Sequence, residues 1–91
     1  MYARLLDLLR RSLYARGYVL DPYSVMEVAT LVANYIRRCE ESSWLGAVGL
    51  LSKILGKAGV DDSEDEARGI IREVVELLGG CEENHRLRMS A

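Results

Sequence analysis

The sequence predicts an all-α fold, a small up-and-down bundle of four helices. Apolar residues recur at three- and four-residue intervals in four separate stretches, which is the pattern of helices with one buried face. Residues that start and end helices bracket each stretch, and the connections are short enough to make successive helices antiparallel neighbours. The predicted helices cover residues 2–16, 22–41, 44–57 and 64–78.

Length and composition indicate one globular domain. Ninety-one residues, 49% of them hydrophobic and 29% charged, can form a core without a metal or a disulfide framework. We predict a single domain over residues 1–80 and a mobile tail over residues 81–91, where the apolar periodicity is lost. The longest uncharged run, residues 42–52, is too short to span a membrane, and charge interrupts the apolar N-terminus, unlike in a secretory signal. We therefore expect a cytoplasmic protein.

The first two predicted helices have clear ends. Gly17 ends the first, since glycine readily adopts the left-handed conformation found at helix C-termini. Asp21 is the predicted N-cap of the second, and Pro22 takes the first helical position, where its missing N–H costs nothing. Leu20 and Val25 occupy the positions of a hydrophobic staple around this cap. The predicted buried faces consist of Tyr2, Leu5, Leu6, Leu9 and Leu13, and of Val25, Val28, Ala29, Val32, Tyr35, Ile36 and Cys39.

The third and fourth helices are also bounded by starting residues. Ser42 or Ser43 is the predicted N-cap of the third helix, and Ser63 with Glu66 forms a predicted capping box at the start of the fourth. A glycine pair ends the fourth helix. Their predicted buried faces consist of Trp44, Ala47, Val48, Leu51, Ile54, Leu55 and Ala58, and of Ala67, Ile70, Ile71, Val74, Val75, Leu77 and Leu78.

The motifs that would indicate catalysis are incomplete. Residues 49–58 resemble a phosphate-binding loop, but Leu51 and Ala58 stand where that loop needs glycine and a hydroxyl residue. The single histidine, His85, lies in the predicted tail, so no nucleophile and base can be paired on a rigid element. The acid-rich stretch 61–66 lacks the glycine turn of a calcium loop. We predict a non-enzymatic protein with no cofactor, no metal and no small-molecule substrate.

The two cysteines allow two states. In an up-and-down bundle the second and fourth helices run the same way, so Cys39 and Cys81 lie at the same end. We expect two separate thiols, with a disulfide as the alternative. The chain has ten arginines, two lysines, two asparagines and no glutamine, and scarce amides are typical of heat-adapted proteins, in which intracellular disulfides do occur. With His85, the cysteines are one ligand short of a closed zinc site.

The third helix carries the predicted interaction surface. Gly46, Gly49 and Gly56 lie opposite its apolar face, and glycine inside a helix costs ~1 kcal/mol relative to alanine. Three such glycines indicate either close approach of another backbone or a loose helix. We predict a protein–protein interaction module, an accessory subunit of a larger assembly, that binds another protein or a second copy of itself. The predicted contact residues are Leu45, Gly46, Gly49, Leu50 and Lys53.

Charge asymmetry supports an alternative function. Residues 1–38 carry a net charge of +3 and residues 39–91 a net charge of −5. An arginine-rich face of the first two helices would then bind nucleic acid, with a tyrosine stacking on a base. The residues of this alternative are Arg4, Arg10, Arg11, Tyr14, Arg37 and Arg38. Membrane binding through the third helix is not expected, because its two lysines are few for an anionic surface.

Overall fold

The computed structural model describes residues 2–81, and these form four α-helices. The helices are α1 (Tyr2–Ala15), α2 (Pro22–Arg38), α3 (Glu41–Lys57) and α4 (Ser63–Leu77). Each helix packs against its neighbours in sequence, and α1 also packs against α4. The contacts are those of an up-and-down bundle, so the predicted fold class is confirmed. Within the described range, no helix combines the length and the hydropathy needed to cross a bilayer.

The core is built from the predicted apolar faces. The largest fully buried side chains are Leu5, Leu9, Val28, Val32, Leu51, Leu55, Ile70, Ile71 and Val74. Burial of such a side chain contributes roughly 1.5–3 kcal/mol relative to an exposed one, so these faces drive the association of the helices. Tyr35 and Trp44 extend the α2–α3 packing with ring centroids 5.3 Å apart. Three residues of the predicted buried faces, Tyr2, Ala58 and Leu77, are exposed because each lies at the end of its apolar stripe.

The α1–α2 connection follows the sequence prediction closely. Gly17 has a φ of 84°, the left-handed conformation expected after a helix end. Tyr18 N–H returns to the carbonyl of Leu13 at 2.9 Å, which closes the last turn of α1. Asp21 caps α2, since its carboxylate accepts from the backbone N–H of Ser24 at 3.2 Å.

The α2–α3 connection keeps the predicted length of two residues but lies three residues earlier in the chain than predicted. The second helix ends at Arg38 rather than at residue 41, because Cys39 adopts a left-handed conformation with a φ of 55°. The third helix then begins at Glu41 rather than at residue 44, with Glu40 as its N-cap residue. The prediction of a serine cap is therefore wrong: the Ser43 hydroxyl donates to the Glu40 carboxylate at 3.4 Å from inside the helix.

The predicted capping box at the start of α4 is also wrong. Asp62 is the N-cap residue, and Ser63 is already the first residue of the helix. The Ser63 hydroxyl lies 3.2 Å from that of Ser52 on α3. The Glu66 carboxylate accepts from Tyr18 at 3.1 Å instead of turning back to the cap. Tertiary partners thus take both side chains that the local motif would have used.

Cys39 and Cys81 form a disulfide, with their Cα atoms 5.5 Å apart. The structure therefore shows the alternative rather than the two separate thiols that the sequence favoured. The physical reason is the parallel course of α2 and α4, which brings the residues after their C-terminal ends together. Cys81 is only 7% exposed, so the folded domain extends at least one residue beyond the predicted boundary. The rest of the predicted tail, residues 82–91 with His85, lies outside the described residues.

Candidate interaction surfaces

The predicted contact residues of α3 lie on the outside of the bundle, with one exception. Leu45 is 57% exposed, and Gly46, Gly49 and Lys53 are exposed too. Leu50 differs from the prediction, since it is half-buried and packs against the core. Positions 45, 49 and 53 are spaced by one helical turn, so the exposed residues form a continuous strip, the α3 face.

The glycines of the α3 face are not required by packing within the described chain. A Cβ atom at Gly49 would meet nothing within 4 Å. One at Gly46 would meet the Leu31 methyl groups at 3.8 Å, an ordinary van der Waals distance. The close approach predicted from these glycines therefore does not take place between described elements of this chain.

A second surface, which the sequence did not indicate, lies between α1 and α2. The connection between these helices and their adjoining turns enclose a groove of about 220 Å³, here called the α1–α2 groove. Its base is apolar, because Leu13 and Val25 are almost fully buried and Leu20 is half-buried. The lining residues are Arg10, Leu13, Tyr14, Tyr18, Leu20, Pro22 and Val25. Two of these residues, Leu20 and Val25, are the hydrophobic staple predicted from the sequence, so the sequence contained part of the groove as a feature of the helix cap.

Exposed aromatic and aliphatic side chains adjoin the α1–α2 groove. Tyr14 lines it and is 64% exposed. Val19 stands between two lining residues in the connection and is 78% exposed, and Tyr23 follows the lining residue Pro22 and is 76% exposed. Within the described range, the hydroxyls of Tyr14 and Tyr23 make no hydrogen bond with the rest of the chain. These residues present apolar surface and free polar groups to solvent together.

Three of the six predicted nucleic-acid residues have side-chain partners within the described part of the chain. Arg11 pairs with Asp7 at 3.1 Å, as the four-residue spacing of acid and base predicts. Arg38 pairs with Glu40 at 3.7 Å, and Arg37 donates to the side-chain carbonyl of a neighbouring asparagine at 3.0 Å. All three guanidinium groups are solvent-exposed, so these contacts are weak.

The start of α1, which carries Arg4, lies apart from Arg37 and Arg38 at the end of α2. The Tyr2 hydroxyl donates to the carbonyl of Met26 at 3.3 Å, which places the start of α1 beside the second turn of α2. Arg37 lies eleven residues further along, roughly 16 Å at 1.5 Å per residue. Arg4, two residues after Tyr2, therefore lies away from the C-terminal end of α2. Arg10 and Tyr14, in contrast, share the α1–α2 groove.

A network of polar side chains joins α1 and the α1–α2 connection to α4. Arg16 pairs with Glu66 at 3.3 Å and with Glu73 at 3.4 Å. The buried hydroxyl of Ser12 donates to Glu73 at 3.0 Å, and the Tyr18 hydroxyl donates to Glu66 at 3.1 Å. Burial raises the pKa of the Tyr18 phenol, and the hydrogen bond to Glu66 and its charge raise it further. This polar network fixes one wall of the α1–α2 groove, because Tyr18 belongs to both.

Comparisons of the chain with protein-family models, with curated proteins and with solved structures found no match.

Proposed function

We propose that this chain is a non-enzymatic helical module that binds another protein, as a small accessory subunit of a larger assembly. The observation that carries the proposal is the α1–α2 groove with its exposed neighbours Tyr14, Val19 and Tyr23. Tyrosine and arginine are enriched in protein interfaces, where a large amphipathic ring buries much area and keeps a polar contact. The groove combines both residue types over an apolar base.

The size and chemistry of the groove favour a protein partner over a small substrate. Its volume of about 220 Å³ is below the roughly 300–1,000 Å³ of most small-molecule sites. Arg10 is the only charged side chain among the described residues that line it. Its described lining includes no carboxylate and no histidine, the groups that most often act as general acid and base.

The α3 face is the second contact surface in this proposal. Leu45 is its one strongly exposed large apolar residue, and its glycines leave room for the backbone of another helix. We propose that this face adds a further contact within an assembly, either with the partner or with a second copy of this chain. It ranks below the groove because Leu50 is committed to the core.

Nucleic-acid binding is the second candidate function. It is favoured by one observation, namely that Arg10 and the exposed Tyr14 lie together in the groove. A phosphate and an adjacent base would use these two side chains as a cation and a stacking platform. It ranks lower because such binding needs several cations along one track, and Arg37 and Arg38 lie in the last turn of α2, away from Arg10 and Tyr14.

A cytoplasmic location belongs to the same proposal. The disulfide between Cys39 and Cys81 is unusual for that compartment in mesophiles but occurs in hyperthermophiles. The scarcity of amide residues supports a heat-adapted source, which would reconcile the disulfide with the cytoplasm.

The proposal is tested by capture from a native lysate with three immobilised chains: wild type, Tyr14→Ser/Tyr23→Ser and Leu45→Ser. Each capture is made with and without nuclease and eluted over a salt gradient. After nuclease treatment, we expect a few specific proteins on wild type, their loss on the tyrosine variant and only a small reduction on the Leu45 variant. Both variants change only exposed side chains, so circular dichroism should show unchanged helicity.

Three outcomes would contradict the proposal. Retention that disappears with nuclease, or that falls steeply with salt, would favour the nucleic-acid function, because each neutralised phosphate releases counterions. Proteins that are lost only with the Leu45 variant would move the site to the α3 face. Capture that is the same on all three chains would mean that neither surface is used.

A further inference from the structure

We infer that the partner places a carboxylate against Arg10 and an adjacent apolar side chain into the α1–α2 groove, so that the groove recognises an acidic–apolar segment of another protein. This inference rests on the proposed function and specifies the chemistry of the partner. It depends on three features of the groove: its unpaired cation, its apolar base and its limited volume.

Arg10 carries the only charge among the described residues that line the groove, and this charge has no counter-charge. Among residues 2–81, Arg10 forms no ion pair. The two charged residues that adjoin lining residues in sequence, Arg11 and Asp21, are both engaged. Arg11 pairs with Asp7, and the Asp21 carboxylate accepts from the N–H and the hydroxyl of Ser24 at the start of α2. A bound carboxylate would therefore find one free guanidinium, which can bind it through two parallel N–H donors.

The apolar base determines what must accompany that carboxylate. Leu13, Leu20 and Val25 form an apolar floor within a groove of about 220 Å³, which suits one or two side chains rather than a whole small molecule. An aliphatic or aromatic residue on the partner would bury area there, and the carboxylate would lie at the more polar edge. On a partner helix, these two residues would be three or four positions apart.

The tyrosines at the groove support a peptide rather than a phosphate polymer. Tyr18 has its hydroxyl committed to Glu66, so it presents little beyond its ring to a ligand. The Tyr14 hydroxyl has no partner within the described chain and can bind a peptide carbonyl or amide at the rim. A nucleic-acid strand would need further cations beside Arg10, and no other described lining residue of the groove is a cation.

The inference can be tested with a random peptide library displayed on phage and selected against the immobilised full chain. Selected peptides are then synthesised with a fluorescent label, and their dissociation constants are measured by anisotropy. We expect the selected sequences to share an aspartate or glutamate near a bulky apolar residue. Replacing that acid by its amide should weaken binding by about tenfold or more, since a hydrogen bond between two charged groups is stronger than one to a neutral amide.

Two variants of the protein provide matched charge reversals on neighbouring positions. Arg10→Glu changes a groove residue, whereas Arg11→Glu changes the next residue, which does not line the groove, and gives the same net charge. We expect Arg10→Glu to weaken the binding of acidic peptides by at least about tenfold. The same variant should bind peptides in which lysine replaces the acid. Arg11→Glu should change affinity by less than about twofold, as expected for an exposed charge outside the contact.

Several results would overturn the inference. These are selected peptides without an acidic residue, equal losses of peptide affinity with both arginine variants, or a library that yields no binder. Tighter binding of a labelled single-stranded oligonucleotide than of any peptide would also overturn it.

The proposed function fails separately from the inference. Lysate partners that depend on Tyr14 and Tyr23 but not on Arg10 would leave the protein-binding function in place while removing the acidic–apolar partner.

Discussion

The two ends of the bundle are held together by different chemistry. Near the start of α4, noncovalent contacts connect α1 and the α1–α2 connection to α4, mainly through Arg16, Tyr18 and Glu66. At the opposite end, a single covalent bond joins Cys39 after α2 to Cys81 after α4. The noncovalent end responds to pH and salt, whereas the covalent end responds to reductants.

This difference bears on function because the α1–α2 groove lies at the noncovalent end. Tyr18 belongs both to the polar network and to the groove wall, so a change in the network reaches the proposed binding site. The disulfide lies beyond the far ends of α2 and α4 and contributes no lining residue. The comparison therefore predicts that the network affects stability and binding, while the disulfide affects stability alone.

Removal of the disulfide should have the largest effect. The bond joins residues that are 42 positions apart, and closing a loop of this length restricts the unfolded chain enough to stabilise the fold by about 4 kcal/mol. We expect dithiothreitol to lower the free energy of unfolding by about 3–4 kcal/mol in urea titrations. Peptide binding in the groove should not change under conditions where the reduced protein is still folded.

The Cys39→Ala/Cys81→Ala variant is the control for this prediction. It should unfold at the same low urea concentration with and without dithiothreitol. The stabilising role of the disulfide would be contradicted if the wild type showed no response to the reductant. It would also be contradicted if the denatured, unreduced protein contained two free thiols.

Glu66→Gln should have the next largest effect. The substitution removes the charge that pairs with Arg16 and weakens the acceptor of the Tyr18 hydroxyl. We expect a loss of about 1–2 kcal/mol in the free energy of unfolding, since the ion pair is only partly exposed. Peptide affinity in the groove should fall as well, because the Tyr18 wall is less firmly held.

Glu64→Gln is a matched control on the same helix. Glu64 is 70% exposed and pairs with Arg68 at 3.0 Å, so its loss should cost less than about 0.5 kcal/mol. Equal losses for the two variants would show that the network at Glu66 contributes no more than an ordinary surface ion pair.

Gly49→Ala should stabilise the isolated protein. Alanine has a higher helix propensity by ~1 kcal/mol, and the added methyl group would meet nothing within 4 Å. Thermal unfolding should therefore occur at a higher temperature. Gly17→Ala should act in the opposite direction, since the φ of 84° at this position disfavours a side chain. A Gly49→Ala variant that is more stable but captures fewer partners would assign the α3 face to an interface.

Tyr18→Phe should change the pH dependence of stability, which distinguishes the noncovalent end of the bundle from the disulfide end. The pKa of Tyr18 is raised above its usual value of 10.0, so the folded state holds the phenol proton more tightly than the unfolded state. This contribution is complete below pH 10 and is lost as the pH rises towards the higher folded-state pKa. Stability measured against pH should fall above pH 10 in the wild type, and Tyr18→Phe should reduce that slope. If stability fell equally steeply above pH 10 in both proteins, ionisation of Tyr18 would not be the cause of that fall.

The sequence could predict the features that depend on neighbours along the chain. The fold class, the apolar faces, the glycine end of α1 and the Asp21 cap were all readable, because the residues responsible lie within one or two helical turns. The exposure of Tyr14 and Leu45 followed from the same periodicity.

The tertiary structure decided what depends on partners far along the chain. Glu66 matches a local capping motif, but Arg16 and Tyr18, about fifty residues away, offer its carboxylate stronger contacts in the folded state. Cys39 met Cys81 only because α2 and α4 run in parallel. The α1–α2 groove likewise required the packing of two helices and their connection. Helix formation depends on local spacing, whereas side-chain pairing and surface shape depend on which helices meet and at what register.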